Sequence, residues 1–355
     1  MTEKITVIVP VYNVKAEYFD RCVKSICDQT YRELELLIVD DGSDTETAFR
    51  CDSAAKADHR IRVIHRENGG ASAARNTGLR EASGAYITFV DCDDWIDEHC
   101  LEAAYERAGR DDLDILLWGS FKCYGDRHEK YMPYSEDIEL FDKERKKELM
   151  QKTMVGTLKT YRPPATVFGS GSCCSKLYRK DFLDRNGLFY PEGIKRAEDV
   201  NFNIRAFDAA ERIGYLNRHL YYYRQHEHSA SFIYRRDGIE VFTAALLELE
   251  KFIREKKADE DFLQAWYMRC IFFFLESMDM DYLNRENHDP LSETLYRMRK
   301  AASRSPYREA AMQVDMKRLS FFKKIPVFFL RHDLMELLVL FYGIYGRMKK
   351  TVLPG

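Results

Sequence analysis

The sequence predicts an α/β fold built on a mostly parallel sheet flanked by helices, followed by an all-helical C-terminal extension. As far as about residue 117, short apolar runs alternate with segments of helical periodicity, which is the βαβ signature of a parallel sheet. Beyond residue 235 the glycine and β-branched clusters thin out, and apolar residues recur at helical spacing. We therefore predict two domains, 1–235 and 236–355.

The elements follow in chain order. Short apolar runs predict buried strands at 5–9, 34–39, 61–65, 86–90 and 113–118. Between them helices are predicted near 16–28, 45–57, 71–82 and 97–109. The polar stretch 122–165 is predicted to be irregular, apart from a charged helix near 141–152. A second set comprises a strand at 175–178, a helix near 198–210, and two strands near 212–216 and 219–224. The extension opens with a helical stripe of Ile239, Val241, Phe242, Ala245, Leu246, Leu249 and Phe252.

Composition indicates a globular protein, and several classes are excluded. Of the 355 residues, 45% are apolar and 32% are charged, and the net charge of −3 argues against nucleic acid as a partner. The nine cysteines include no Cys-x-x-Cys pair, so we expect reduced thiols in a cytoplasmic protein, with no disulfide framework and no zinc site. The N-terminus leads directly into a strand, so we expect no signal peptide. Neither a Gly-x-Gly-x-x-Gly segment nor a P-loop motif is present.

Polar and acidic residues follow three of the predicted strands. In an open α/β sheet, ligands bind beyond the carboxyl ends of parallel strands, so these segments predict a polar-ligand site at one edge. Five carboxylates would crowd that edge and repel one another unless a cation or hydrogen-bond donors compensate, and a metal ion is the simplest solution. The segments are Pro10–Asn13, Asp40–Ser43 and Asp91–Asp94, and the acidic pair Glu198–Asp199 opens a later helix.

Five motifs, in this order and at these separations, resemble those of family 2 nucleotide-sugar glycosyltransferases of the bacterial surface-glycan type, which have the GT-A fold. The resemblance covers about two-thirds of the chain and says little about residues 236–355. The Gln-x-x-Arg-Trp motif of processive polysaccharide synthases is absent. The matching segments are Ile5–Asn13, Val39–Ser43, Asn68–Gly78, Phe89–Trp95 and Ala197–Asp199.

The resemblance implies a metal site at Asp91 and Asp93. Their i, i+2 spacing puts both carboxylates on one side of an extended chain, and hard oxygen ligands suit Mn²⁺ or Mg²⁺ bridging a diphosphate. The alternative is that these aspartates cap a helix starting near Asp97, and for Asp94 the two interpretations weigh equally. The resemblance also suggests His226 or His228 as a further metal or phosphate ligand, and we favour His226.

The resemblance further implies a nucleotide pocket. Asp41 would accept the imide N–H of a uracil base, because a carboxylate is an acceptor only, and Asp40 would support the same pocket. The alternative is an ordinary strand-to-helix turn. Gly70 would present backbone N–H groups to a phosphate or sugar, and Arg75 would balance the acidic edge unless it is a solvated helix arginine. The other residues assigned to the pocket are Pro10, Tyr12, Asn13, Gly42, Asp91 and Cys92.

Asp199 is the implied catalytic base, with Glu198 positioning it. A hydroxyl becomes a good nucleophile when a base accepts its proton, and a single displacement inverts the anomeric carbon. The alternative is that acidic residues here simply favour a helix N-terminus.

The tail carries a separate signal. Between residues 317 and 350 basic residues outnumber acidic ones by eight to two, with phenylalanines interleaved. We expect either contact with an anionic membrane surface, such as the inner face of the plasma membrane, or helix packing or a homo-oligomer contact.

The sequence thus predicts an inverting, metal-dependent transfer of a sugar from a nucleoside diphosphate, with UDP favoured. The acceptor would be a hydroxyl of a glycan or lipid-linked glycan precursor. A non-catalytic glycan-binding or scaffold module on the same fold is the alternative.

Overall fold

The structure is a computed structural model that describes residues 2–155, 171–225 and 234–352. The described residues up to 225 form one compact unit, and those from 234 onward form a second. The strands are β1 (Ile5–Val11), β2 (Leu34–Asp40), β3 (Ile61–His65), β4 (Tyr86–Phe89), β5 (Trp95–Ile96), β6 (Ile115–Tyr124), β7 (Arg127–Tyr131), β8 (Lys176–Arg179) and β9 (Ile213–Arg224).

The helices of the first unit are α1 (Ala16–Cys27), α2 (Thr45–Ala57), α3 (Ala71–Glu81), α4 (Cys100–Arg110), α5 (Lys143–Val155), α6 (Lys180–Arg185) and α7 (Glu198–Ala209). Those of the second unit are α8 (Gly238–Glu255), α9 (Glu260–Ser277), α10 (Leu291–Ala302), α11 (Tyr307–Gln313), α12 (Phe321–Arg331) and α13 (Met335–Val352).

One sheet runs through the first unit, in the strand order β3-β2-β1-β4-β8-β6-β9-β5, with β7 paired to β6. Strands β1 to β4 pair in parallel, as the alternation of strands and helices predicts. The residues of β1, β2 and β4 are almost all buried, which explains why these three strands read as mostly apolar runs, whereas β3 at the edge of the sheet is only partly buried. Because β1, β2 and β4 are parallel and in register, their carboxyl ends reach the same edge of the sheet.

The other half of the sheet is mixed. Strand β8 pairs antiparallel to both β4 and β6, whereas β6 and β9 are parallel with an irregular register around Trp118 and Gly119. Strand β5 pairs antiparallel to the last part of β9. This pairing brings the end of β9 next to the chain that leaves β4, where the acidic segment Asp91–Asp94 lies.

Three secondary-structure predictions differ from the structure, and two short elements were missed. The two strands predicted near 212–216 and 219–224 are one strand, β9, and the helix predicted from residue 97 begins at Cys100. The segment predicted to be irregular after residue 122 contains a β6–β7 hairpin, whose turn uses Gly125 at φ +57°. Strand β5 and helix α6 were missed because two and six residues are too short for a periodic signal.

The second unit is helical, as predicted. Helix α8 buries every member of the predicted stripe: Ile239, Val241, Phe242, Ala245, Leu246, Leu249 and Phe252. This face packs against α9, where Trp266 donates its indole N–H to the carbonyl of Leu246 at 3.2 Å. In the described part of the chain, the helices are all too short or too polar to cross a membrane.

Candidate active site

The acidic loop after β4 is held in place by the end of β9. The backbone N–H of Asp91 donates to the Tyr221 hydroxyl at 3.2 Å, and that hydroxyl donates to Asp94 Oδ2 at 2.6 Å. Arg224 adds two bonds, from its N–H to Asp94 Oδ1 and from Nε to the carbonyl of Asp93, both at 2.7 Å. Asp94 is therefore a buried brace of the loop, and it does not cap the following helix.

The loop carries a strongly negative field. Burial raises the pKa of Asp94 well above its usual range, and the charges of Asp93 and Asp91 add to the effect. Burial, with the same charges, also raises the pKa of the neighbouring Cys92 thiol. A cation placed against this loop would be stabilised.

Arg75 joins this loop to helix α7. Its guanidinium donates from Nη2 to Asp91 Oδ1 at 2.9 Å and from Nη1 to Glu198 Oε1 at 3.1 Å. The side chain is buried and lies against the Tyr190 ring, 5.4 Å from its centroid. Arg75 is thus not a solvated helix arginine, and its two ion pairs bring three of the predicted site residues together.

The polar side chains of helix α3 also fix the segment that leads into α7. Asn76 donates to the carbonyl of Tyr190 at 2.9 Å and accepts from its N–H at 2.8 Å. The Tyr190 ring stacks on Phe202 of α7, with centroids 4.1 Å apart. Helix α7 then begins after Ala197, a non-glycine residue at φ +55°. These contacts set the position of Glu198 and Asp199.

A second support for α7 comes from the chain before β8. Asn203 donates to the carbonyl oxygens of Ser172 and Asp199, both at 2.9 Å, and accepts from the Tyr178 hydroxyl at 2.6 Å. The ammonium of the buried Lys176 donates to the carbonyl of Ser172 at 2.6 Å. Burial lowers the pKa of Lys176 to about 8, although the charges of Cys173, Cys174 and Asp199 oppose the shift.

Asp40 and Asp41 lie at the end of β2 with separate partners. Asp40 accepts from the N–H of Ser43 at 3.0 Å and pairs with His65 Nδ1 at 2.7 Å, while Asp52 pairs with the other ring nitrogen at 3.0 Å. Asp41 accepts from Arg66 and from the N–H groups of Gly69 and Gly70. Asp41 is buried, and these donors occupy three of the roughly four acceptor positions of its carboxylate.

The glycine pair ahead of α3 has a different partner from the predicted phosphate. The N–H groups of Gly69 and Gly70 donate to Asp41 at 3.0 and 2.7 Å. Gly42 allows the two loops to approach, because a Cβ there would lie 2.8 Å from the backbone nitrogen of Asn68. The role of Gly70 in nucleotide binding stays a prediction.

The segment after β1 lies beside the other two loops. Tyr12 is 55% exposed, so one face of its ring is open for stacking. Asn13, at φ +45°, accepts from the N–H of Asp44 at 2.8 Å and donates its own N–H to Ser43 at 3.2 Å. Pro10 lies beyond the last β1 residue that pairs with β4, where a missing N–H donor is tolerated.

Side chains of the protein compensate part of the negative charge that the sequence placed at this edge. Arg66 and Arg75 pair with Asp41 and Asp91, and His65 hydrogen-bonds to Asp40, so a metal ion is not needed to explain all five carboxylates. Asp91 and Asp93 nevertheless fit a Mg²⁺ or Mn²⁺ ion shared with a diphosphate, because such sites need one or two carboxylates and take their other ligands from phosphate and water. The negative field of the loop favours the same occupant.

The structure therefore gathers the predicted residues of three strand ends and α7 in the first unit, whereas His226 and His228 lie outside the described residues. Sequence reasoning missed the partners of these residues: Arg66, Asn76, Lys176, Asn203, Tyr221 and Arg224. Asn76 follows Arg75 directly, and Arg224 ends an aromatic strand, but sequence spacing alone does not reveal which carboxylates such residues meet.

Comparisons with known proteins identify the family of this chain. The family model described as "Glycosyl transferase family 2" matches residues 6–187. The uncharacterised glycosyltransferase EpsJ of Bacillus subtilis is 34% identical over 64% of this chain and 63% of its own. Glycosyltransferase GlyG of Streptococcus pneumoniae is 31% identical over 68% of this chain and 79% of its own. The chain spans less than two thirds of the length of some relatives, including EpsJ.

Solved structures show the same fold. The crystal structure of Staphylococcus aureus TarS 1–349 in complex with UDP-GlcNAc has a TM-score of 0.65 at 21% identity, and the match covers 97% of this chain and 92% of that one. The mannosyltransferase PcManGT from Pyrobaculum calidifontis, in complex with GDP-Man and Mn²⁺, has a TM-score of 0.53 at 17% identity, with 87% and 83% of the two chains covered. Both the predicted fold and the predicted resemblance are confirmed, and the chain belongs to glycosyltransferase family 2.

Proposed function

We propose that this protein is an inverting, metal-dependent glycosyltransferase. It moves a sugar from a nucleoside diphosphate, with UDP as the favoured carrier, to a hydroxyl of a surface-polysaccharide precursor. One observation carries the proposal: buried Arg75 ties Asp91 of the acidic loop to Glu198 at the start of α7. Asp91, which is predicted to hold the donor, is thereby linked to α7, the helix that carries the predicted base.

The donor half of the site is built from the three strand ends. Asp91 and Asp93 would hold Mn²⁺ or Mg²⁺, which supplies charge neutralisation as the diphosphate leaves. Asp41 would offer its remaining acceptor position to an imide N–H, and the exposed Tyr12 ring offers a stacking surface for the base or ribose. The UDP-GlcNAc bound by TarS and the Mn²⁺ bound by PcManGT support this choice of donor and metal.

The acceptor half depends on Asp199. Its carboxylate stands on the first turn of α7, next to Glu198, whose own carboxylate is engaged by Arg75. Asp199 would accept the hydroxyl proton as the new C–O bond forms, and no covalent nucleophile is required. The single displacement inverts the anomeric carbon.

The alternative is a glycan-binding or scaffold module that has lost catalysis. A binding module has no need for a buried arginine that spans the metal-ligand loop and the predicted base helix. The contacts of Arg75 therefore favour an enzyme.

The base assignment is tested with Asp199→Asn, which keeps the size of the side chain but cannot take up the proton. We expect turnover to fall by about 10²-fold or more, with donor affinity measured by calorimetry nearly unchanged. Asp208→Asn, near the end of the same helix, is the matched control. Lost donor affinity together with high residual turnover would make Asp199 a structural residue.

We also propose that the second unit touches an anionic membrane surface through α12. Phe321, Phe322 and Phe328 are exposed on this helix, and Lys323 and Lys324 lie among them. Val327 and Leu330 are buried on the other side, so α12 also serves helix packing. Basic residues interleaved with exposed aromatic rings suit the interface of an anionic bilayer.

A further inference from the structure

Two adjacent cysteines lie against the acidic loop of the first unit. Cys173 and Cys174 are buried, and their sulfur atoms are 3.5 Å apart. Cys173 Sγ lies 3.8 Å from Asp91 Oδ1. The three possible ligand atoms, one from each residue, all lie within 4.8 Å of one another.

We propose that Asp91, Cys173 and Cys174 form a binding site for a thiophilic divalent cation of the Zn²⁺ type. Occupation of this site draws Asp91 away from the donor and so inhibits transfer. The binding claim stands on the geometry of the three side chains alone, whereas the inhibition rests on the function proposed above.

The distances match a tetrahedral zinc site. Zn–S bonds of about 2.3 Å at the tetrahedral angle separate two sulfurs by about 3.8 Å, and with a Zn–O bond of about 2.0 Å sulfur and oxygen lie about 3.5 Å apart. The observed separations are 3.5 Å between the sulfurs and 3.8 Å from sulfur to carboxylate oxygen. These two separations are within a few tenths of an ångström of the ideal values, and the third, from Cys174 Sγ to the Asp91 carboxylate, is within 4.8 Å. Side-chain rotation would close the third separation, with water as the fourth ligand.

The donor set selects against the metal of the proposed reaction. Thiolates are soft ligands that prefer Zn²⁺, whereas Mg²⁺ and Mn²⁺ prefer oxygen, and Zn²⁺ stands above Mn²⁺ in general affinity. The missing Cys-x-x-Cys spacing led to the expectation of no zinc site. Adjacent cysteines whose sulfur atoms lie close together can also bind a metal ion, and the Cys-x-x-Cys criterion does not detect them.

Access and charge also suit a cation. The Asp91 side chain is 32% exposed, so an ion can reach the thiols from the carboxylate side. Two thiolates and a carboxylate would bring three negative charges together. Arg75, which donates to Asp91 Oδ1, and the buried ammonium of Lys176, which donates to the carbonyl of Cys174 at 3.2 Å, offset two of them. Because Arg75 already uses Oδ1, the ion must share that oxygen or take Oδ2.

The binding claim is tested on the full chain with Co²⁺ as the probe. Thiolate coordination gives a near-ultraviolet sulfur-to-cobalt charge-transfer absorption that carboxylate ligands do not give. We expect this absorption in the wild type, its loss in Cys173→Ala/Cys174→Ala, and its displacement by Zn²⁺. Cys51→Ala, which removes a buried cysteine of α2, is the matched control and should retain it.

Persistence of the absorption in the double variant, or its absence in the wild type, would overturn the site. Circular dichroism and thermal unfolding establish that the double variant is folded. Each single cysteine variant provides a second measurement, because loss of one ligand should weaken Co²⁺ binding by at least about tenfold.

The inhibition is tested separately, with turnover in Mn²⁺ measured as Zn²⁺ is added. Each variant is compared with its own turnover without Zn²⁺. The double variant should need at least about tenfold more Zn²⁺ for the same inhibition. Equal inhibition of the wild type and the double variant would show that Zn²⁺ does not inhibit through this site. The cobalt spectra would still show whether the site binds a metal ion. If no donor is turned over, the proposed function fails and the spectra remain decisive for metal binding.

Discussion

Arg75 is the residue whose removal should damage both the fold and the site. Arg75→Met leaves Asp91 and Glu198 without their shared cation. Breaking a fully buried ion pair costs about 3–5 kcal/mol, but Asp91 is partly exposed, so we expect the free energy of unfolding in urea to fall by about 2 kcal/mol.

Arg80→Met is the matched control for this change. Arg80 lies on the same helix, and its pair with Glu192 is exposed at both ends and 3.7 Å long. An exposed pair contributes about 0–1 kcal/mol, so this variant should be near wild type. Equal destabilisation by the two changes would contradict the role given to Arg75.

His65 gives the molecule a pH-dependent contribution to stability. Its hydrogen bonds to Asp52 and then to Asp40 raise the pKa of the imidazole above 6.5. Since the folded-state pKa is the higher one, the contribution is fully present below about pH 6.5 and is lost as pH rises through the raised value.

We therefore expect the difference in unfolding free energy between wild type and His65→Gln to be largest near pH 6. It should shrink above neutrality, as measured by urea unfolding at a series of pH values. His59→Gln, the same change at an exposed histidine, is the control for the substitution itself. A difference that grows with pH would contradict the assignment.

Strand β9 braces the acidic loop through the Tyr221 hydroxyl and through Arg224, and the hydroxyl can be removed alone. Tyr221→Phe removes the donor to buried Asp94 and the acceptor for the N–H of Asp91. Leaving buried polar groups unsatisfied costs about 1–3 kcal/mol each, so we expect a loss of stability in this range. If the brace positions Asp91 and Asp93, affinity for Mn²⁺ should also fall.

Tyr222→Phe on the same strand is the control, because its ring stacking on Trp95, with centroids 5.2 Å apart, does not need the hydroxyl. Thermal unfolding and Mn²⁺ titration followed by calorimetry measure the two effects. Unchanged stability and Mn²⁺ affinity in Tyr221→Phe would show that the Tyr221 hydroxyl does not hold the loop.

The elements also show what the sequence could predict and why. Strands β1, β2 and β4 were predictable because they are buried on both faces and read as mostly apolar runs, and α8 was predictable because its stripe is regular. Strand β7 carries the polar run Arg127–Tyr131 at the end of a hairpin, so it lacks the apolar signal. The Gly125-Asp126 turn was the available clue.

For the site, the acidic strand ends could be predicted because parallel strands deliver them to one edge. The bridge from Arg75 to Glu198 could not, because it joins residues 123 positions apart through tertiary packing. The same holds for the sulfur atom of Cys173, which lies against Asp91 from 82 positions away.

For the molecule as a whole, α12 should mediate contact with anionic lipid. Replacing Phe321 and Phe322 with serine should reduce flotation with phosphatidylglycerol vesicles, because both rings are exposed. The remaining binding should weaken with added salt, since the Debye length is about 10 Å at 0.1 M. Transfer to a small soluble acceptor should be unaffected.

Phe49→Ser, an exposed phenylalanine of the first unit, is the control and should float like the wild type. If the double variant still floats but changes its mass in light scattering, the aromatic residues serve a homo-oligomer contact and the membrane proposal is wrong.

If the acidic edge is a metal-dependent sugar-transfer site, the protein should release a nucleoside diphosphate from a sugar donor. The wild-type protein is incubated with UDP-, GDP- and dTDP-sugars, once in Mn²⁺ and once in Mn²⁺ with excess EDTA. The Asp93→Ala variant is incubated with the same donors in Mn²⁺. We predict release from a UDP-sugar in Mn²⁺ alone, with nearly all of it lost in EDTA and in the variant. Release that continues undiminished in EDTA, or no release from any donor, would show that the acidic edge is not a metal-dependent sugar-transfer site.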